Sequence, residues 1–323
     1  MLKKLYDKSK IWFAVSWIIV YCVLLSVGDA LSASVGIDKS VTLAIGILLS
    51  AILLLFLKKH GLSRDYGLCA PKSSAKSMLY YIPILVMLTA NLWYGVTLNY
   101  GALETVLYIL AMLCVGFLEE VIFRGLLFEA MRKDSVKAAV IVSSVTFGIG
   151  HIINLINGSG AELLPNLLQV IYATAAGCMF VMMYYKSKSL IVCIAAHGVF
   201  NALSVFVNEV NATSEMRILT AILLTVITGS YALYLALSRR RRKMYSYTLS
   251  NQPDNTLFLK TCSLIEKHVA EITKEKLLID VDGSCFQRYR IPQGMIKVSN
   301  DFEVYALYVD SDIDLTNILG VKL

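Results

Sequence analysis

Apolar runs of about 20 residues recur along the first three quarters of the chain, and each is long enough to cross a hydrocarbon core of about 30 Å. They fall at roughly 11–31, 41–57, 78–98, 103–123, 138–156, 163–185, 189–207 and 216–237. Inside a bilayer every backbone amide must find its partner within the segment, so runs of this length are helices. Only 16% of the residues are charged, against about 25% in a soluble globular chain. Eight fully apolar helices would leave a soluble protein almost no polar surface with which to cover them. The expected fold is therefore an all-α polytopic membrane protein of about eight transmembrane helices.

From Ser238 onward the charge density rises and no further span appears. The chain divides into a transmembrane domain, 1–243, and a tail, 244–323, of small-domain size. An amphipathic helix is expected over about 256–275, on Leu257, Leu264, Ile265, Val269 and Ile272. Extended segments follow: KLLIDV, a turn at Asp282-Gly283, the alternating FQRYRI, and EVYALYV. These features predict a small α+β domain of unknown role and partner, and recruitment or gating of substrate is an expectation for it.

Lys and Arg are retained on the cytoplasmic side of membrane proteins. Nineteen fall on alternate loops and ends: Lys3 to Lys10, Lys58 to Lys76, Arg132 to Lys137, Lys186 with Lys188, and Arg239 to Lys243. The intervening loops carry two, Lys39 and Arg217. Both termini, and with them the tail, are thus expected in the cytoplasm, with the chain in a bacterial plasma membrane. The Arg239–Lys243 cluster directly follows a span and reads as an anionic-lipid contact, not as a nucleic-acid site. The first span exceeds a usual signal-peptide core and reads as an uncleaved anchor. Asn157-Gly-Ser159-Gly reads as a turn, and Asn157 and Asn211 lie in glycosylation sequons. The seven cysteines show neither a disulfide framework nor metal-ligand spacing.

Ionisable groups within spans cost about 2.5–3.5 kcal/mol each on insertion scales and are functional by default. The fourth span ends in Glu119-Glu120-Val-Ile-Phe-Arg124. Glu120 and Arg124, one turn apart, can pair, whereas Glu119 points about 100° away and is left without that partner. The fifth span carries Phe147-Gly-Ile-Gly-His151, and the seventh His197-Gly-Val-Phe-Asn201. At 1.5 Å per residue, Glu119 lies ~20 Å from Arg132, His151 ~21 Å from Lys137, and His197 and Asn201 ~14 and ~20 Å from Lys188. All four groups reach a similar depth from separate helices, which implies one polar, water-holding cavity.

EEVIFR, FGIGH and HGVFN, in that order, fit the patterns EExxxR, FxxxH and HxxxN. The chain thereby resembles, over about 40–235, the CPBP family of intramembrane peptidases, which includes CAAX prenyl proteases and many bacterial self-immunity proteins. The resemblance implies that Glu119 activates water, His151 helps to hold it, His197 and Asn201 stabilise the oxyanion, and Glu120, Arg124 and Phe147 support the site. It implies a peptide or membrane-protein substrate within a lipid bilayer, a prenylated or leader peptide among them, attacked near the cytoplasmic half. Glu119, His151 and His197 would also serve as zinc ligands. The zincin signature HExxH is absent, and the Asn fits an oxyanion role better than a third ligand, so the expectation is a reaction without cofactor. Two other readings remain: a non-catalytic immunity or scaffold protein, and a proton-coupled transporter, the latter without the inverted repeat usual to that class.

Overall fold

The computed structural model describes residues 2–155, 162–238, 245–292 and 294–321. The expected turn at 157–160 and the Arg239–Lys243 cluster lie outside the described residues. The chain forms two compact units, Met1–Ser238 and Arg239–Leu323.

The first unit is helical. After a short helix, Leu2–Lys8, come α1 (Lys10–Val35), α2 (Ser40–Lys59), α3 (Tyr81–Thr89), α4 (Ala102–Glu119), α5 (Val136–Gly150), α6 (Leu163–Ser187), α7 (Ile191–Leu203) and α8 (Ser214–Leu237). Local chemistry sets several starts. Ser9, Ser135 and Thr213 accept the backbone N–H of Trp12, Ala138 and Met216 and so cap α1, α5 and α8. Outward faces are apolar, as on Leu48, Leu55, Ile222, Val226 and Leu233, which suits contact with lipid.

Among the described residues six helical segments, against the eight expected spans, are long and apolar enough to cross a bilayer. The expected spans at 78–98 and 189–207 are shorter helices, Tyr81–Leu92 and Ile191–Phe206. Their apolar composition continues, but their backbone does not. The chain leaves α3 at Gly95, in the left-handed region at φ 90°, and runs extended, with Val96 bridging Val207. Asn side chains cap the exposed carbonyls: Asn91 donates to Phe200 O at 2.7 Å, and Asn99 to Val205 and Val207 O at 2.8 and 2.9 Å. Non-helical backbone at membrane depth is tolerated where protein groups satisfy it in this way.

Helix α4 does not stop at Glu119. It continues as a π-helical segment, Glu120–Leu127, and then as Phe128–Arg132. Every residue of the π segment is buried. Such segments are rare, and they are frequent at functional sites because they re-aim the side chains that follow.

The second unit is a six-stranded antiparallel sheet in the order β1-β6-β5-β4-β2, with β3 also paired to β4. The strands are β1 (Tyr245–Ser250), β2 (Thr273–Lys274), β3 (Leu278–Ile279), β4 (Cys285–Ile291), β5 (Gly294–Asp301) and β6 (Ala306–Ser311). Helix α9 (Asn255–His268) lays Phe258, Cys262 and Ile265 on a core of Tyr289, Ile296, Val298, Leu307 and Val309. It ends before the expected 275, because Val269 is already extended and Glu271 turns left-handed at φ 54°. The turn at Asp282-Gly283 joins β3 to β4, and β4 alternates as expected, with Gln287, Tyr289 and Ile291 inward. Strands β1 and β5 have no counterpart among the expected segments, and β2 forms where the helix was expected to continue.

Candidate active site

The motif residues converge in the first unit. Glu120 and Arg124, both fully buried, form an ion pair at 3.1 Å. Phe147, one turn before His151, lies under the guanidinium, 3.9 Å from ring centroid to Cζ, where a cation–π contact offsets part of the cost of burying the charge. This gives the aromatic residue of the second motif a physical task.

His197 reaches the same cluster from α7. Its Nδ1 lies 2.7 Å from Glu120 Oε1 and its Nε2 3.3 Å from Glu119 Oε2. The ring stacks on Phe180 at 5.6 Å and meets the edge of Phe147 at 5.5 Å. This placement needs α4 and α7 almost in backbone contact. A Cβ on Gly116 would stand 2.6 Å from Gly198 Cα, so the small residues at both positions set how far His197 extends. Gly148 does the same between α5 and α6, where a Cβ would collide with the Thr174 hydroxyl.

Glu119 is not left without a partner. The phenol of Tyr21, on α1, donates to its Oε1 at 2.7 Å. Tyr21 is the residue that motif reasoning missed, because it lies on the first span, outside the stretch that resembles the peptidase family. The available signal was its depth, 11 residues or ~17 Å beyond Lys10, close to that of Glu119.

Glu119, His151 and Asn201 line a common chamber of about 350 Å³. His151 follows the last turn of α5, where its carbonyl accepts a hydrogen bond from Asn166 at 2.8 Å. His197 is set back from the chamber. It is buried and lines a smaller void of about 40 Å³, shared with His151 and Asn201. Of the seven residues singled out by the sequence, Glu119, His151, Asn201 and Phe147 thus face the chamber, while Glu120, Arg124 and His197 lie behind it.

Leu118 and the Glu120–Phe128 segment, which follow the chamber's α4 residues toward Arg132, are buried.

Among the described residues no group of three or more His, Cys, Asp or Glu side chains is arranged to hold a metal ion. Both ring nitrogens of His197 face carboxylates, Nδ1 that of Glu120 and Nε2 that of Glu119. All seven cysteines are free. What the arrangement offers is a carboxylate at a water-accessible wall, an imidazole and a carboxamide facing the same space, and a buried charge network behind them.

No curated protein and no solved structure matches the chain. Residues 101–203, the stretch that carries all three motifs, match the family model described as type II CAAX prenyl endopeptidase, Rce1-like. Together with the six apolar helices among the described residues, this match supports an integral membrane protein whose residues 101–203 are similar to the Rce1-like family of proteases.

Proposed function

We propose that this chain is an intramembrane endopeptidase that hydrolyses a peptide bond of a membrane-associated substrate, with Glu119 as the base and without a metal ion in the step. The observation that carries the reading is that Glu119, His151 and Asn201, from three different helices, face one chamber deep in the helical unit. A water held between Glu119 and His151 attacks the scissile carbonyl while Glu119 takes its proton. The tetrahedral oxyanion is met by the Asn201 carboxamide, and Glu119 then passes the proton to the leaving amine. His197 serves this site from behind: bracketed by Glu120 and Glu119, it fixes the carboxylate that must act. A positioned base contributes about 10²–10⁴-fold, and a single oxyanion donor about 10²–10³-fold.

A helix-clamping reading has one observation in its favour. Glu119 is bonded to Tyr21 and touches His197, so it also ties α1, α4 and α7 together. The two readings separate in an assay of the purified protein on a peptide library, using His151→Ala and Asn201→Ala. Neither side chain makes a hydrogen bond among the described residues, and His151 makes one ring contact, with Phe147, so thermal unfolding of both variants is measured beside cleavage. We expect cleavage to fall about 100-fold in each and to be unchanged by a zinc chelator. Full activity in both variants removes the peptidase assignment of this chamber. Inhibition by chelator that zinc reverses replaces the metal-free step.

A further inference from the structure

Two cavities of the helical unit are lined from opposite ends of the buried segment that continues α4. The catalytic chamber has Phe123 in its wall. Six residues further on, or ~9 Å along the helix, Glu129 lines a second cavity of about 850 Å³. This second cavity carries Lys10, Arg64, Lys72, Arg132, Lys133 and Lys188, against the two carboxylates of Asp65 and Glu129. It therefore belongs to the basic pole of the unit, and the side chains of the segment between the two cavities are buried.

Apart from Phe123, the chamber runs the other way on α1, α4 and α7. On α1 it takes one face, Tyr21, Cys22, Leu25, Ser26 and Asp29, progressing away from Lys10 toward the far end at Val35. On α4 it takes Tyr108, Met112 and Val115, all on the far side of Glu119 from Arg132. From α7 and its continuation it takes Phe200, Asn201 and Ser204, the end remote from Lys188. The two short helices explain the opening. Both α3 and α7 start at the basic pole and stop part-way, and Asn91 and Ser204 at their ends line the chamber. At its far end stand Asp29 and Lys39, paired at 2.7 Å and only partly exposed, with Thr42 donating to the same carboxylate at 2.6 Å.

We propose that the chamber is loaded from the pole opposite the basic loops. Because Lys and Arg mark the cytoplasmic side, that pole is the extracytoplasmic face, and the substrate is a polypeptide presented at the outer surface of the membrane. This rests on the peptidase reading for its chemistry, but not for its geometry. Asp29 lies eight residues beyond Tyr21, or ~12 Å along α1. About four residues of extended chain cover that distance at ~3.3 Å each. A substrate therefore needs a flexible segment of at least that length between the mouth and the scissile bond.

The test labels the full-length protein in intact spheroplasts with a membrane-impermeant maleimide and locates the adduct by mass. The probes are Ser26→Cys, on the chamber wall, and Lys133→Cys, on the basic cavity. We expect Ser26→Cys to be modified in intact spheroplasts and Lys133→Cys only after permeabilisation, a difference of at least tenfold in rate. Modification of Ser26→Cys only after permeabilisation overturns the proposal, and so does modification of Lys133→Cys alone in intact spheroplasts. Labelling does not depend on turnover. A chain that labels as expected, yet cleaves no library peptide added outside right-side-out vesicles, would contradict the peptidase reading and leave the direction of access standing.

Discussion

Two ion pairs in this molecule have the same chemistry and opposite surroundings. Arg124–Glu120, in the helical unit, has both side chains wholly buried, whereas Lys274–Glu266, in the tail, leaves them 55% and 37% exposed. The exposed pair stands at 2.7 Å and the buried one at 3.1 Å, so distance does not rank them. Surroundings do. Charges taken out of water incur a desolvation cost that their mutual attraction alone does not repay, and the membrane unit answers it with more partners: Phe147 under the guanidinium, and His197 on Glu120. The tail needs no such network, because water screens its charges. The difference teaches that the costly pair is retained where it holds a neighbour in place. Here that neighbour is His197, and through it Glu119.

The largest expected effect comes from breaking the buried pair. Arg124→Ala leaves the Glu120 carboxylate buried without its cation and should destabilise the helical unit by about 3–5 kcal/mol, read as a lowered unfolding temperature in detergent with loss of cleavage. Next is Gly116→Ala, which places a methyl against the Gly198 backbone and should cost about 1–3 kcal/mol, with α7 displaced. Restoration of activity by a larger residue at Gly116 would contradict the close approach. Tyr21→Phe is sharper, since it removes one hydrogen bond to Glu119 and keeps the ring. Turnover should fall about tenfold, equivalent to about 1.4 kcal/mol, with the unfolding temperature nearly unchanged.

The smallest effect lies in the tail. Lys274→Ala should change stability by less than about 1 kcal/mol. The hydrogen bond from Lys274, followed by that from Tyr289, holds the Glu266 carboxyl below its ordinary range. The stability this contributes is therefore present above the pKa of the unfolded chain and is lost as pH falls through the lower folded value. Acid titration of wild type against Lys274→Ala, followed by a tail-specific signal, should show the two curves converging only at the acid end. A Lys274→Ala effect as large as that of Arg124→Ala would remove the contrast between the two pairs.

The sequence made the membrane unit legible where local rules suffice. The Glu120–Arg124 pair follows from helical spacing, and the shared depth of Glu119, His151 and Asn201 follows from counting residues from charged loop ends. It misled where apolar composition continues past the end of a helix. Residues 93–98 and 204–207 are as apolar as a span, and only Asn91, Gly95 and Asn99 hint that the backbone turns and is capped from the side. Tyr21 was illegible for a different reason. Its bond to Glu119 joins residues 98 apart in sequence, and a lone tyrosine in an apolar run carries no periodic signal. In the tail, β4 was read from its alternation, whereas β5, with Val298, Ser299, Asn300 and Asp301 all buried in succession, has none to read.

The central claim is that Glu119 is there for chemistry and not only to join helices. Glu119→Gln tests it most directly, with peptide cleavage and thermal unfolding measured on the same purified sample. The amide keeps the shape of the side chain and can still accept the Tyr21 hydrogen bond, but it cannot act as a base. The account predicts a loss of cleavage of at least 100-fold with the unfolding temperature within a few degrees of wild type. Cleavage retained at the wild-type rate, or lost only in step with the fold, would contradict it.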